Sequence, residues 1–324
     1  MDASDTAAAM RDAAQRLLAS LDDAATAAAR RPFPDEETRR RIEYRPRPRP
    51  GVPLADLDVA ARKAAHRLLA TGLSPHAYAQ AMAVVALEEV LDRREGWARG
   101  RHSGDYWVVV FGDPAGDAPW TWRFEGHHLS VTMTVVGDRV SPTPVFLGAN
   151  PARVSYAGRP VLRPLAQEED LARELLDAMS STGRQRAIVD DQAPQDIRSS
   201  VLPYAPVGLE PPGVPGGELN PTARAVLDHL LALYLDRLPP ALAVAESDRI
   251  DRGALHFAWA GPLVPGGRHY YRLQAPDLLI EYDNTSDDGN HAHTVLRRPA
   301  GDFGGDILAE HRAGEAIGRG GVVG

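Results

Sequence analysis

Residues 270–298 read YYRLQAPDLLIEYDNTSDDGNHAHTVLRR. Tyr270–Gln274 and Leu278–Asp283 are aromatic and aliphatic runs that read as two arms of a sheet, and His291–Leu296 follows as a third strand. Side chains alternate along a strand, so His291 and His293 share one face. Imidazole is the commonest protein ligand for zinc, copper and non-haem iron. With His311 close behind in sequence, the stretch is a candidate metal site, set against the plainer reading of solvated polar residues on an exposed strand.

Working outward, the chain of 324 residues has 44% hydrophobic residues, enough for a buried core in one large domain or two small ones. It carries no cysteine, which excludes disulfides, thiolate catalysis and cysteine-rich zinc sites and leaves only nitrogen and oxygen ligands for a metal. The net charge is -8, and the basic residues form no aromatic-interleaved block, so nucleic acid is not an expected partner. No basic leader with an apolar core opens the chain and no long apolar run occurs within it; a cytoplasmic protein with no membrane partner and a small-molecule substrate is expected.

Helical spacing predicts one long helix over Ala3–Arg30 and others over Leu57–Ala70, Pro75–Arg93, Gln167–Met179 and Pro221–Leu235, with a short one over Asp306–Arg312. Tyr44–Pro50 alternates arginine and proline and reads as extended, either a solvated spacer or an anion-binding strap. Strands are expected at Asp105–Gly112, Pro119–Glu125, His128–Val136, Leu255–Ala260 and His269–Gln274, whereas Ser141–Pro151 and Gly158–Pro160 look irregular. Asp190–Leu219 is rich in proline and glycine and reads as an Ω-loop, lid or linker. The order points to an α+β fold, antiparallel sheet flanked by helices, with a helical N-terminal third; no internal repeat is detected. The expected division is residues 1–50 as helix and arginine-rich segment, 51–315 as a single domain and 316–324 as a flexible tail.

The second cluster is Glu125-Gly126-His127-His128. In a regular strand Glu125 and His127 share a face and His128 turns away, so His127 is the expected ligand of the pair, with Glu125 as ligand or orienting carboxylate. Glu281 and Asp283 repeat that spacing. Arg123, Arg272, Arg297 and Arg298 lie on or beside the same strands and suit a carboxylate of a substrate, or else surface ion pairs. Glu125, Arg123, Glu281 and Arg297 are accordingly the candidate catalytic residues, and His127, His128, His291, His293 and His311 the candidate ligands. Ser130 lacks a nucleophile-elbow motif, and Gly301–Gly305 lacks the lysine of a phosphate loop.

WTWRFEGHHLS at 120–130, TPVFLGANP at 143–151, FAWAG at 257–261, Tyr270–Arg272, Leu279–Asp283, NHAH at 290–293 and DFGGD at 302–306 resemble the core blocks of the uncharacterised bacterial and fungal family DUF3500. The similarity runs from about Arg40 to His311 and implies one family-wide domain without a named activity. The residues themselves suggest a metal-dependent enzyme acting on a small carboxylated molecule, an oxidase or oxygenase through iron or copper. The alternatives are a zinc hydrolase with metal-activated water, or a non-catalytic binding protein.

Overall fold

A computed structural model describes residues 2–98, 100 and 102–320. Eight strands form the body of the sheet: β1 (Tyr106–Phe111), β2 (Trp120–Gly126), β3 (Leu129–Val136), β4 (Val145–Ala149), β5 (His256–Ala260), β6 (Tyr270–Ala275), β7 (Leu278–Ser286) and β8 (His291–Arg297). Their order is β1-β2-β3-β4-β8-β7-β6-β5, every neighbour antiparallel. Short strands extend it to 13, among them Arg30–Arg31 parallel to β1 and Ile188–Asp190 parallel to β5. The α+β expectation therefore stands, and β4, expected to be irregular, lies at the centre of the sheet.

The strand order is palindromic about the β4–β8 seam, and the segments before each half repeat as well. Val52-Pro53 pairs with β1 and leads through a 3-10 turn and the cap Asp58 into helix Val59–Gly72. Val214-Pro215 pairs with β5 and leads through a 3-10 turn and the cap Asn220 into helix Pro221–Leu235. At one constant spacing, Leu57 matches Leu219, Ala61 matches Ala223, Arg62 matches Arg224, and Leu68-Leu69 match Leu230-Leu231. The chain is thus two copies of one unit, contrary to the sequence reading. The shared residues are scattered packing positions rather than a contiguous motif.

One sheet face carries Trp120, Trp122, Phe124, Leu129, Val131, Met133, Tyr271, Leu273 and Ile280 into a core shared with the helices. Burying such side chains stabilises by roughly 1.5–3 kcal/mol each. The opposite face is also buried yet polar, and two chain crossings cover it. Arg123 donates to the carbonyls of Thr38 and Arg41, and Glu125 accepts from the Glu43 amide at 2.9 Å. Glu281 accepts from the Arg198 and Ser199 amides, and Arg272 donates to the Leu209 carbonyl. Arg297 is bound to Asp302 at 2.8 Å. All five side chains are buried. Arg123, Glu125 and Glu281, expected as catalytic groups, satisfy the backbone of the covering segments, which otherwise would bury unpaired polar groups, and Arg297, expected likewise, is held by the Asp302 carboxylate.

Other expectations change for local reasons. The first helix ends at Ala19, and Asp22 caps a second over Asp23–Ala29. Residues 190–219 form no free loop but cover the polar face. The terminal helix runs over Gly305–Gly320, through part of the expected tail, and residues 321–324 lie outside the described residues.

His269 is fully buried, stacked on Trp259 at 4.4 Å and near Tyr282, and burial lowers its pKa to about 4. The unfolded chain takes up this proton near pH 6.5 and the folded chain does not. The stabilisation is therefore full above about pH 6.5 and is lost as pH falls towards 4, by roughly 3 kcal/mol in total. Urea unfolding between pH 7 and pH 4.5 should show this slope, reduced in His269→Phe; parallel slopes in the two proteins would refute it.

Candidate metal centre

The tight hairpin between β2 and β3 leaves His127-His128 as its two turn residues. His128 has φ +61°, a left-handed conformation uncommon for a residue with a side chain. Its amide donates to the Tyr44 carbonyl and its own carbonyl accepts from Gly148, which fixes the turn from both sides. Gly126 precedes the pair because a Cβ there would lie 2.0 Å from the Tyr106 ring.

His291 and His293 enter from β8, on the face covered by the two crossings. His293 lies opposite Gly148 of β4 and Asp283 of β7. A Cβ on Gly148 would lie 2.8 Å from His128 Cδ2 and 3.1 Å from His293 Cδ2, so the absent side chain is what admits both rings. The Nε2 atoms of His128 and His291 are 2.7 Å apart, and those of His291 and His293 3.0 Å. The His291 ring stands at 90° to His128 and 86° to His293.

The outer nitrogens are oriented by the covering segments. Asp196 accepts from His293 Nδ1 at 2.8 Å and from the Tyr44 hydroxyl at 2.8 Å. With Nδ1 so engaged, Nε2 is the nitrogen that His293 turns to the cluster. Asp287 lies 3.3 Å from His291 Nδ1, with Asn150 beside it. Burial, then the neighbouring His293, lowers the pKa of His291 to about 4, so it is neutral at pH 7. Burial would raise Asp196, but the hydrogen bonds from His293 and Tyr44 outweigh it and hold the carboxyl below its ordinary value. Asp283, which offers a ligand oxygen within 4.8 Å of Asp196 and His293, is raised by burial to about 7.

The structure therefore brings together His128, His291 and His293, and sets His127 with Glu88 and His128 in a second group of possible ligands. His127 turns away from β8, its Nδ1 2.6 Å from Glu88 Oε1, with its ring centroid 3.7 Å from that of His128 and the two planes tilted by 32°. The sequence reading assumed a regular strand through the pair, whereas the turn reverses which imidazole faces β8. Glu125 orients no imidazole here; it serves the backbone as described. His311 belongs to none of the ligand groups found among the described residues. Its helix packs Ile307 and Leu308 on Val136, at the far end of β3 from the turn. Asp196, Glu88, Tyr44 and Gly148 were not anticipated. Asp196 lies in the proline-rich crossing, where nothing in the local sequence marks it.

Nitrogen ligands at about 2.0–2.1 Å from one ion lie roughly 3.0 Å apart at right angles and roughly 3.4 Å apart at tetrahedral angles. The His291–His293 spacing of 3.0 Å matches the right angle, and the His128–His291 spacing of 2.7 Å is that of a short hydrogen bond. Side-chain exposure is 18% at His291 and 11% at His293, which leaves the cluster open on one side for further ligands.

Neither curated proteins nor solved structures give a match to the chain. A family model described as protein of unknown function (DUF3500) matches residues 3–305 of the 324, spanning both halves of the sheet and all three clustered histidines. The chain belongs to the DUF3500 family.

Proposed function

We propose that the protein is a metal-dependent enzyme in which His128, His291 and His293 hold one transition-metal ion and a small carboxylated molecule is the substrate. The observation that carries this is the convergence of three Nε2 atoms, with Asp196 fixing the tautomer of His293 from behind. Imidazole nitrogens as close as these need a shared proton or a cation between them. The near right-angled spacing favours iron or copper with open coordination positions, hence an oxidase or oxygenase. Such an ion would supply redox chemistry; the chain supplies the imidazoles, the buried Asp283 carboxyl and a covered polar face.

A second reading, a hydrolase on zinc, is favoured by Asp283, whose pKa of about 7 suits a group that takes a proton from water at neutral pH. Among the described residues no helix is long and apolar enough to cross a membrane. We place the protein in the cytoplasm as part of this proposal.

Elemental analysis should find about one iron, copper or zinc ion per chain, weakening as imidazoles protonate on acidification. Protein that contains no metal and takes up none would overturn the reading. His128→Ala, His291→Ala and His293→Ala should each lower metal affinity by at least about tenfold, and Asp196→Asn by roughly 10–100-fold, whereas His127→Ala should retain the metal.

A separate check comes from the glycine on β4. Gly148→Ala should push the His128 and His293 rings apart and weaken the metal by about tenfold or more, while the circular-dichroism spectrum stays native. An alanine variant that binds metal as tightly as the parent would show that the rings do not meet over Gly148.

A further inference from the structure

Beside the imidazole cluster lies a cavity of about 510 Å³, in the size range of small-molecule sites. Its lining includes Pro46, Arg47 and Pro48 of the arginine-proline segment, Trp107 of β1, and the Glu88–His127 pair. His127 stands between it and the proposed centre, since its ring lines the cavity and lies 3.7 Å, centroid to centroid, from that of His128.

The segment is exposed over Arg45–Pro48 but anchored by the buried Tyr44 and Arg49. The Arg49 guanidinium, 1% exposed, donates to the carbonyls of Glu43 and Arg45 and sits 5.4 Å over the Trp107 ring. That folds the two prolines and Arg47 into the cavity wall. Arg41, Arg45 and Arg47 share the single carboxylate of Glu43, at 3.5, 2.7 and 3.7 Å. Arg45 holds it bidentately, so Arg47 is left the longest contact and a half-exposed head; Asp105 and Glu88 are the carboxylates among the lining residues. Indole and pyrrolidine surfaces favour a flat ring, and a guanidinium favours a planar carboxylate.

We propose that this cavity is the substrate pocket and that it takes an aromatic carboxylate, the ring on the Trp107 and proline surfaces and the carboxylate on Arg47. The inference names the substrate class for the centre proposed above and rests on that reading for turnover, but not for binding.

The test uses the full chain, once zinc-loaded and once chelator-treated, titrated calorimetrically with benzoate, benzamide and cyclohexanecarboxylate. Benzoate should bind about tenfold more tightly than either analogue, the scale of one lost charge or ring contact. Arg47→Ala, at a half-exposed side chain, and Trp107→Leu should each weaken benzoate by about tenfold, with melting temperature and metal content unchanged. Equal affinity for benzoate and benzamide, no binding at all, or Arg47→Ala binding as the parent does, would overturn the pocket. Benzoate binding in a protein that takes up no metal supports the pocket and refutes the centre; metal uptake without benzoate preference refutes the pocket alone.

Discussion

The pairing of β4 with β8 is the contact on which the rest of the molecule depends. It joins two four-stranded halves that are far apart in sequence into one sheet. It also sets Gly148 opposite His293, so that the turn of one half meets the first residues of the last strand of the other. A slip of one residue in this register would turn His291 and His293 into the helix-side core and bring Ala292 and Thr294 to the cluster. Arg237 guards against that slip: buried, it binds Glu168 at 2.6 Å and Thr294 at 3.0 Å, and so ties the helical layer to one register position of β8. Losing one partner of so buried a pair costs about 3–5 kcal/mol.

A sheet buried on both faces poses a second problem, because the covering segments bring unpaired amides and carbonyls against it. The solution is a polar face made of long side chains that reach the crossings. Arg123 with Glu125 serves the first crossing, and Arg272 with Glu281 the second. Tyr44 from the first crossing and Asp196 from the second then meet over His293. The site is therefore assembled from segments whose primary task is to close the fold, and its orientation is as rigid as that closure.

The alternation of apolar and polar residues made most strands legible, and capping signals such as Ser74-Pro75 marked helix starts. The HxH pair was legible because a period of two needs no tertiary information. His128 is a candidate ligand from the sequence, but which of the pair faces β8 is not legible, because a histidine at positive φ is not the residue that announces a turn. Arg123, Glu125 and Glu281 are the converse case, strand residues whose partners are backbone groups of distant segments. Charged residues in strands suggest chemistry, but the sequence does not show which backbone groups must be satisfied by something. The internal repeat stayed hidden because its shared residues, such as Leu57 with Leu219 and Arg62 with Arg224, are separated packing positions.

The palindromic order supplies an internal comparison. The turn His127-His128 between β2 and β3 corresponds to Pro276-Asp277 between β6 and β7. At the first pole three imidazoles converge on one point. At the second, Asp277, Glu246 and Asp306 surround the Arg298 guanidinium, which donates to Asp277 and Asp306 and lies 3.2 Å from Glu246. Burial would lower Arg298, and the three carboxylates reverse this and raise it. The same backbone thus frames two polar clusters, one of carboxylates around a guanidinium and one of three imidazoles. Because the fold is common to both poles, it cannot be the source of any metal affinity. That affinity must come from the residues that differ: the histidine turn, the HxH strand end, and the glycine that lets them meet.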